Sequence, residues 1–124
     1  MIRFRSWSIT RASSCRMSKL LFICSRNKWR SLTAETVLNG VDGHEVRSAG
    51  TEPQARVRVT EGHLGWADVI FVMEKKHLRR MQEKFPHAIS EKRVICLHIP
   101  DEYEYMNADL IQLLQAAVIE YMPD

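Results

Sequence analysis

Apolar positions fall along this chain in two alternating patterns. Lys19–Cys24 (KLLFIC) is a short, continuous apolar run, as expected of a strand buried on both faces. Asp68–Glu74 (DVIFVME) repeats the pattern most strongly, and Arg93–Ile99 (RVICLHI) repeats it again. His44–Ser48 reads as a weaker strand, closed by Ala49-Gly50-Thr51. Between these runs the period lengthens. Ser31–Asn39 predicts a helix ended by Gly40 and Gly43. Thr60 can cap a short helix running to Trp66. Lys75–Phe85 sets Leu78, Met81 and Phe85 at helical spacing, and Pro86 stops it. Asn107 can cap a final amphipathic helix with Leu110, Leu113, Leu114, Ala117, Val118 and Tyr121 on its apolar side. Thr51–Arg58 and Pro100–Met106 read as loops.

Four strands separated by helices predict an α/β fold. The expected form is a four-stranded parallel sheet flanked by helices, doubly wound through right-handed crossovers. Such sheets bind ligands beyond the carboxyl ends of their strands. Cys24 ends the first strand and Asp101 lies just past the fourth, so topology alone puts both on one rim.

Composition narrows the picture. The 124 residues suit one domain, and their 45% apolar and 27% charged fractions are ordinary for a globular protein. No apolar run approaches the roughly 18 residues of a membrane span, so no membrane partner is expected. The net charge of +3 is carried by the start of the chain, where residues 1–16 hold Arg3, Arg5, Arg11 and Arg16 and no acid. From Met17 onward 14 basic residues face 15 acidic ones, which argues against a broad basic face for nucleic acid. Residues 1–16 resemble an organelle transit peptide in composition. They read better as a disordered leader from an upstream start, with Met17 as the working start and 17–124 as a single domain.

Three cysteines, Cys15, Cys24 and Cys96, give an odd count without a disulfide or zinc spacing. A cytoplasmic protein without metal or cofactor is expected. His44, His63, His77, His87 and His98 share no spacing and read as solvated or structural. Lys75, Lys76, Arg79 and Arg80 read as a solvated helix face.

The chemistry concentrates in Cys24-Ser25-Arg26-Asn27-Lys28-Trp29-Arg30-Ser31. A tight turn from a buried strand into a helix points successive backbone N–H groups into one concavity, and the helix N-terminus adds positive potential. That site suits a dianionic phosphate, which the planar fork of Arg30 can grip through two oxygens. The same field favours the thiolate of Cys24, the nucleophilic form. Ser31 can hydrogen-bond that thiolate or cap the helix.

From Lys19 to the C-terminus, the chain resembles the low-molecular-weight protein tyrosine phosphatase family in five ordered segments. FICSRNKWRS is similar to the family's apolar strand followed by C-x-G-N-x-C-R-S. Ser48-Ala49-Gly50-Thr51 resembles its SAGT, and Ala55-Arg56 with Thr60-Glu61 resembles a shortened AR-x-L-T-x-E-D. Ala67–Met73 resembles its AD-L-I-L-V-M strand, and His77-Leu78-Arg79 the N-L-R beyond it. Pro100-Asp101-Glu102-Tyr103 resembles its P-D-P-Y loop. The resemblance implies that Cys24 attacks phosphorus and forms a phosphocysteine. It implies that Arg30 and the loop amides of Ser25, Arg26, Asn27, Lys28 and Trp29 hold the equatorial oxygens. Asp101 would protonate the leaving phenolate and then assist water. Asn27 would hold the unusual loop backbone, Ser31 and Ser48 would brace it, and Tyr103 would line the rim against an aromatic substrate.

Departures are equally specific. Arg26 stands for the family's Gly at a tight turn, where a positive φ would cost about 1–2 kcal/mol. Trp29 replaces the second Cys, Leu32 a Pro and Glu102 the Pro after the acid. The segment between Thr51 and Ala67 is short, predicting a more open cleft. Arg26, Lys28 and Trp29 point toward an acidic or bulky substrate, or toward none. The expected function is hydrolysis of phosphotyrosine in a protein, or of a small aryl phosphate. A catalytically weak phosphate-binding module on the same fold is the alternative. Arsenate reduction ranks lower, since Cys15 and Cys96 make no plausible disulfide relay with Cys24.

Overall fold

The computed structural model describes residues 18–121. The expected leader over residues 1–16, Cys15 and the start at Met17 lie outside the described residues.

Strands β1 (Lys19–Cys24), β2 (Glu45–Gly50), β3 (Val69–Val72) and β4 (Arg93–Cys96) form one parallel sheet in the order β2-β1-β3-β4. The chain starts mid-sheet, adds β2 on one side and then β3 and β4 on the other. The winding therefore reverses at β1, and a crevice opens beyond its carboxyl end.

Helices α1 (Arg30–Leu38) and α5 (Ala108–Tyr121) cover one face; α2 (Glu61–Trp66), α3 (Lys75–Lys84) and α4 (Pro86–Ser90) cover the other. Alternate side chains of a strand point to opposite faces. Leu20 and Phe22 of β1 thus join Val69 and Phe71 of β3 against Ala34, Leu38, Leu110 and Leu114. Leu21 and Ile23 join Ile70 and Val72 against Leu64, Met81 and Ile89. Phe22 and Phe71 are register partners, stacked with ring centroids 4.8 Å apart. Burial on both faces explains why β1 and β3 carry no polar alternation.

The boundaries differ from the sequence reading for local reasons. β2 runs on to Gly50, and an isolated bridge from Gly50 to Arg58 folds the following segment back against its end. β3 begins only at Val69, although Asp68 before it still donates its N–H to the Lys19 carbonyl at 2.8 Å and accepts the Lys19 N–H on its carboxylate at 2.9 Å. β4 ends at Cys96, yet the N–H groups of Leu97 and Ile99 still reach the carbonyls of Val72 and Met73 at 2.9 Å each. The break falls at His98, whose φ of 56° no strand accommodates. Pro86 does more than stop α3: it is the first residue of α4, where its missing N–H costs nothing. In α5 the buried stripe is Leu110, Leu114 and Ala117, whereas Leu113 is 42% exposed. Asn107 caps α5 as expected, its Oδ1 accepting from the N–H groups of Asp109 and Leu110.

Candidate active site

Carbonyl accounting explains the loop between β1 and α1. In a trans peptide the C=O and the next N–H point in opposite directions. The carbonyls of Cys24, Ser25 and Arg26 accept from the N–H groups of Thr51 (3.0 Å), Glu52 (2.9 Å) and Arg56 (2.9 Å). With these carbonyls drawn toward residues 51–56, the N–H groups of Ser25, Arg26 and Asn27 turn the other way. That of Asn27 donates to Cys24 Sγ at 3.2 Å. The two segments lie so close that a Cβ on Gly50 would sit 2.6 Å from the Ser25 carbonyl oxygen and 2.6 Å from the Ala55 Cβ. The glycine of the SAGT segment is thus a spacing requirement.

Beneath the loop the polar side chains are buried and linked. Asn27 and Ser31 are fully covered, and Cys24 is 3% exposed. Asn27 Nδ2 donates to Ser31 Oγ at 2.9 Å, which leaves the serine's own proton for Cys24 Sγ, also 2.9 Å away. The sulfur thus receives two donors, both preferring the thiolate. Asn27 holds φ 56° while Arg26 has no positive φ, so the strain expected at Arg26 is carried by Asn27 instead. Asn27 Oδ1 has no hydrogen-bond partner among the described protein groups.

Arg30 is the first residue of α1 and 2% exposed. Its Nη1 donates to Glu74 Oε1 at 2.8 Å and to the Ile99 carbonyl at 2.8 Å, fixing the plane of the guanidinium. The Nε side, 3.8 Å from Asp101 Oδ1, remains for a bidentate contact. No acid and no side-chain cap occupies the first turn of α1, so its free N–H groups add to the positive field. The Arg30 hydrogen bond holds Glu74 below the usual carboxylate range against an opposing push from burial.

Cys24 opens into a cleft of about 350 Å³ lined by Cys24, Ser25, Arg26, Lys28, Trp29, Arg30, Glu52, Lys76 and Asp101. Cys24, the loop and Asp101 therefore meet, as sheet topology predicts. Lys28 Nζ sits 5.1 Å from the Trp29 ring centroid. Asn27 and Ser31 lie under the floor rather than in the cleft. Tyr103 does not line it; the ring packs half-buried against the α1–α5 core. Ser48 donates to Glu35 Oε1 and so ties β2 to α1, without a hydrogen bond to the loop.

Three residues at the site escape the sequence reading. Glu52 lines the cleft because its backbone is bonded to the loop. Lys76, read as part of a solvated face, also lines it. His77 is only 1% exposed: its Nε2 lies 2.9 Å from Ser25 Oγ, and its Nδ1 accepts the Glu74 N–H at 3.0 Å. Burial first, then the Arg30 charge, pushes its pKa down to about 4. Topology carries a signal for both α3 residues: that helix starts beyond the carboxyl end of β3, on the same rim as Cys24 and Asp101. Among the described residues no group of His, Cys, Asp and Glu could hold a metal ion, and no helix is long and apolar enough to cross a membrane.

No protein-family model and no curated protein matches the chain. Solved structures do. The tyrosine phosphatase Wzb from Escherichia coli K30, in complex with phosphate, aligns with a TM-score of 0.67 at 22% identity, over 86% of this chain and 96% of that one. SP-PTP, a low molecular weight protein tyrosine phosphatase from Streptococcus pyogenes, aligns at 0.69 and 18%, over 87% and 95%. The YwlE arginine phosphatase from Geobacillus stearothermophilus aligns at 0.61 and 20%, over 84% and 97%. The sheet order, the loop after β1 and these alignments together give the chain the fold of the low-molecular-weight protein tyrosine phosphatases.

Proposed function

We propose that the chain is a cysteine-dependent phosphomonoester hydrolase acting on aryl phosphates, phosphotyrosine in a protein among them. One observation carries this reading most: outward-turned carbonyls and two donors on Cys24 Sγ make the loop a preformed anion cradle around a nucleophile. The fold neighbours include a tyrosine phosphatase in complex with phosphate, which supports the same chemistry.

The steps follow from the geometry. The Cys24 thiolate attacks phosphorus while the aryl P–O bond breaks. Asp101, exposed at the mouth, gives its proton to the leaving phenolate oxygen. Three oxygens of the transferring group are held by loop N–H groups and the Nε side of Arg30. The Asp101 carboxylate then takes a proton from water as that water attacks phosphorus. The P–S bond breaks, returning the thiolate and releasing phosphate.

The test compares wild type with Asp101→Ala on aryl phosphates of graded leaving-group basicity. Wild type turns over all of them. The variant loses most on basic leaving groups and least on acidic ones, which need no proton. A folded wild type without turnover, yet stabilised by phosphate on heating, would instead make the chain a phosphate-binding module. Arsenate reduction draws no support from Cys96. It lies on β4, two strands from β1 and so about 10 Å away, too far for a disulfide with Cys24.

A further inference from the structure

The loop's second residue is coupled to a buried histidine that the hydrolytic steps do not use. We propose that His77 is a positioning residue that fixes the Ser25 hydroxyl as a side-chain donor to the oxyanion bound over Cys24. The inference rests on the reading of the cleft as an oxyanion site and adds to it a recognition element on the floor.

Counting protons sets the direction of each bond. A backbone N–H can only donate, so the 3.0 Å contact from the Glu74 N–H makes His77 Nδ1 the acceptor. The ring's proton is then on Nε2, which donates to Ser25 Oγ at 2.9 Å. Ser25 Oγ already accepts that bond, so its own hydrogen must be given elsewhere. Ser25 lines the cleft beside Cys24 and Arg30, where a phosphate oxygen is the available acceptor. A serine hydroxyl otherwise rotates freely; here the imidazole sets its direction before the ligand arrives.

The ring cannot move to another partner. His77 is 1% exposed and held by α3, whose start is tied to the site through Glu74 and Arg30. The charges around it are Arg30, Glu74, Lys76 and Arg80. Burial and the nearby Arg30 keep the ring neutral at neutral pH, so the donor on Nε2 is a permanent feature there.

The experiment measures inorganic phosphate affinity of the full chain by calorimetry, together with nitrogen NMR of His77 in the wild type. Ser25→Ala weakens phosphate binding roughly tenfold or more, the worth of one hydrogen bond to a charged group. Ser25→Thr, which keeps the hydroxyl, restores most of it. His77→Phe weakens binding in the Ser25 protein and adds little on top of Ser25→Ala. The NMR spectrum shows a neutral ring protonated on Nε2. An Nδ1-protonated ring, unchanged phosphate affinity in Ser25→Ala, or a His77→Phe loss of the same size with and without the hydroxyl would each overturn the proposal. Should His77→Phe fail to fold, the wild-type tautomer and the Ser25 variants still decide it. Wild type that binds phosphate without turnover fails the hydrolase reading alone. Wild type that hydrolyses while Ser25→Ala binds phosphate normally fails this inference alone. Wild type that neither binds phosphate nor turns over an aryl phosphate overturns both.

Discussion

The floor and the mouth of the cleft are built by opposite rules. On the floor, Cys24, Asn27, Arg30, Ser31 and His77 are each at most 3% exposed and joined by hydrogen bonds to one another or to the Glu74–Ile99 frame. At the mouth, Arg26, Lys28, Lys76 and Asp101 are exposed, and Glu52 and Trp29 half-exposed. Buried polar groups hold one arrangement because any other leaves them unsatisfied. Exposed ones are screened and exchangeable. Under the proposed function the floor holds the nucleophile and the transferring group, while the mouth supplies the acid Asp101 and sets substrate preference. The departures from the family motif that the chain resembles follow the same division: Arg26 and Trp29 fall at the mouth, while Cys24, Asn27, Arg30 and Ser31 lie underneath.

Substitutions can break this contrast, and the largest effect belongs to the floor. Arg30→Lys keeps a charge but cannot bond Glu74, Ile99 and a phosphate through one rigid plane. Its kcat on an aryl phosphate falls by about a thousandfold, roughly 4 kcal/mol of transition-state stabilisation, as steady-state rates will read.

The pH dependence of stability comes next. Folded His77 has a pKa of about 4 against an ordinary 6.5, so the unfolded chain takes up the proton first as pH falls. Stability from this group is fully present above pH 6.5 and is lost between about 6.5 and 4, about 3 kcal/mol across the window. His63, lowered by burial and by Arg47, adds in the same direction. Urea melts at about pH 7 and about pH 4.5 should show the loss, and His77→Phe should flatten it.

Gly50→Ala tests the backing of the loop. The added methyl must displace the Ser25 carbonyl or Ala55, at a cost of about 2 kcal/mol, and phosphate affinity should fall with it. Smallest are the mouth residues. Glu52→Gln and Lys76→Ala should change stability by less than about 0.5 kcal/mol and alter KM without altering kcat for small aryl phosphates.

Much of this contrast was legible in the sequence. The parallel α/β sheet follows from KLLFIC, DVIFVME and RVICLHI, because strands buried on both faces must be continuously apolar. The meeting of Cys24 with Asp101 follows from sheet topology alone. Tyr103 leaves the rim for a physical reason: an aromatic near it can turn inward, and the space between α1 and α5 gives it a core to join. Strain is expected at Arg26 because a Gly is expected there, yet the left-handed turn falls one residue later, on the residue type that tolerates it. His77 and Lys76 were unreadable as spacing patterns, because what brings them to the site is the packing of α3 over the sheet. Glu52 was unreadable because its place depends on hydrogen bonds between two loops far apart in sequence.

The hydrolase reading depends on Cys24, set between the loop amides and Ser31, being the nucleophile. Aryl-phosphate turnover of wild type beside Cys24→Ser decides this, with both shown folded by thermal melting. Turnover should be present in the wild type and vanish in Cys24→Ser, while phosphate still raises the melting temperature of the variant. Turnover that survives the loss of the thiol would contradict the assignment.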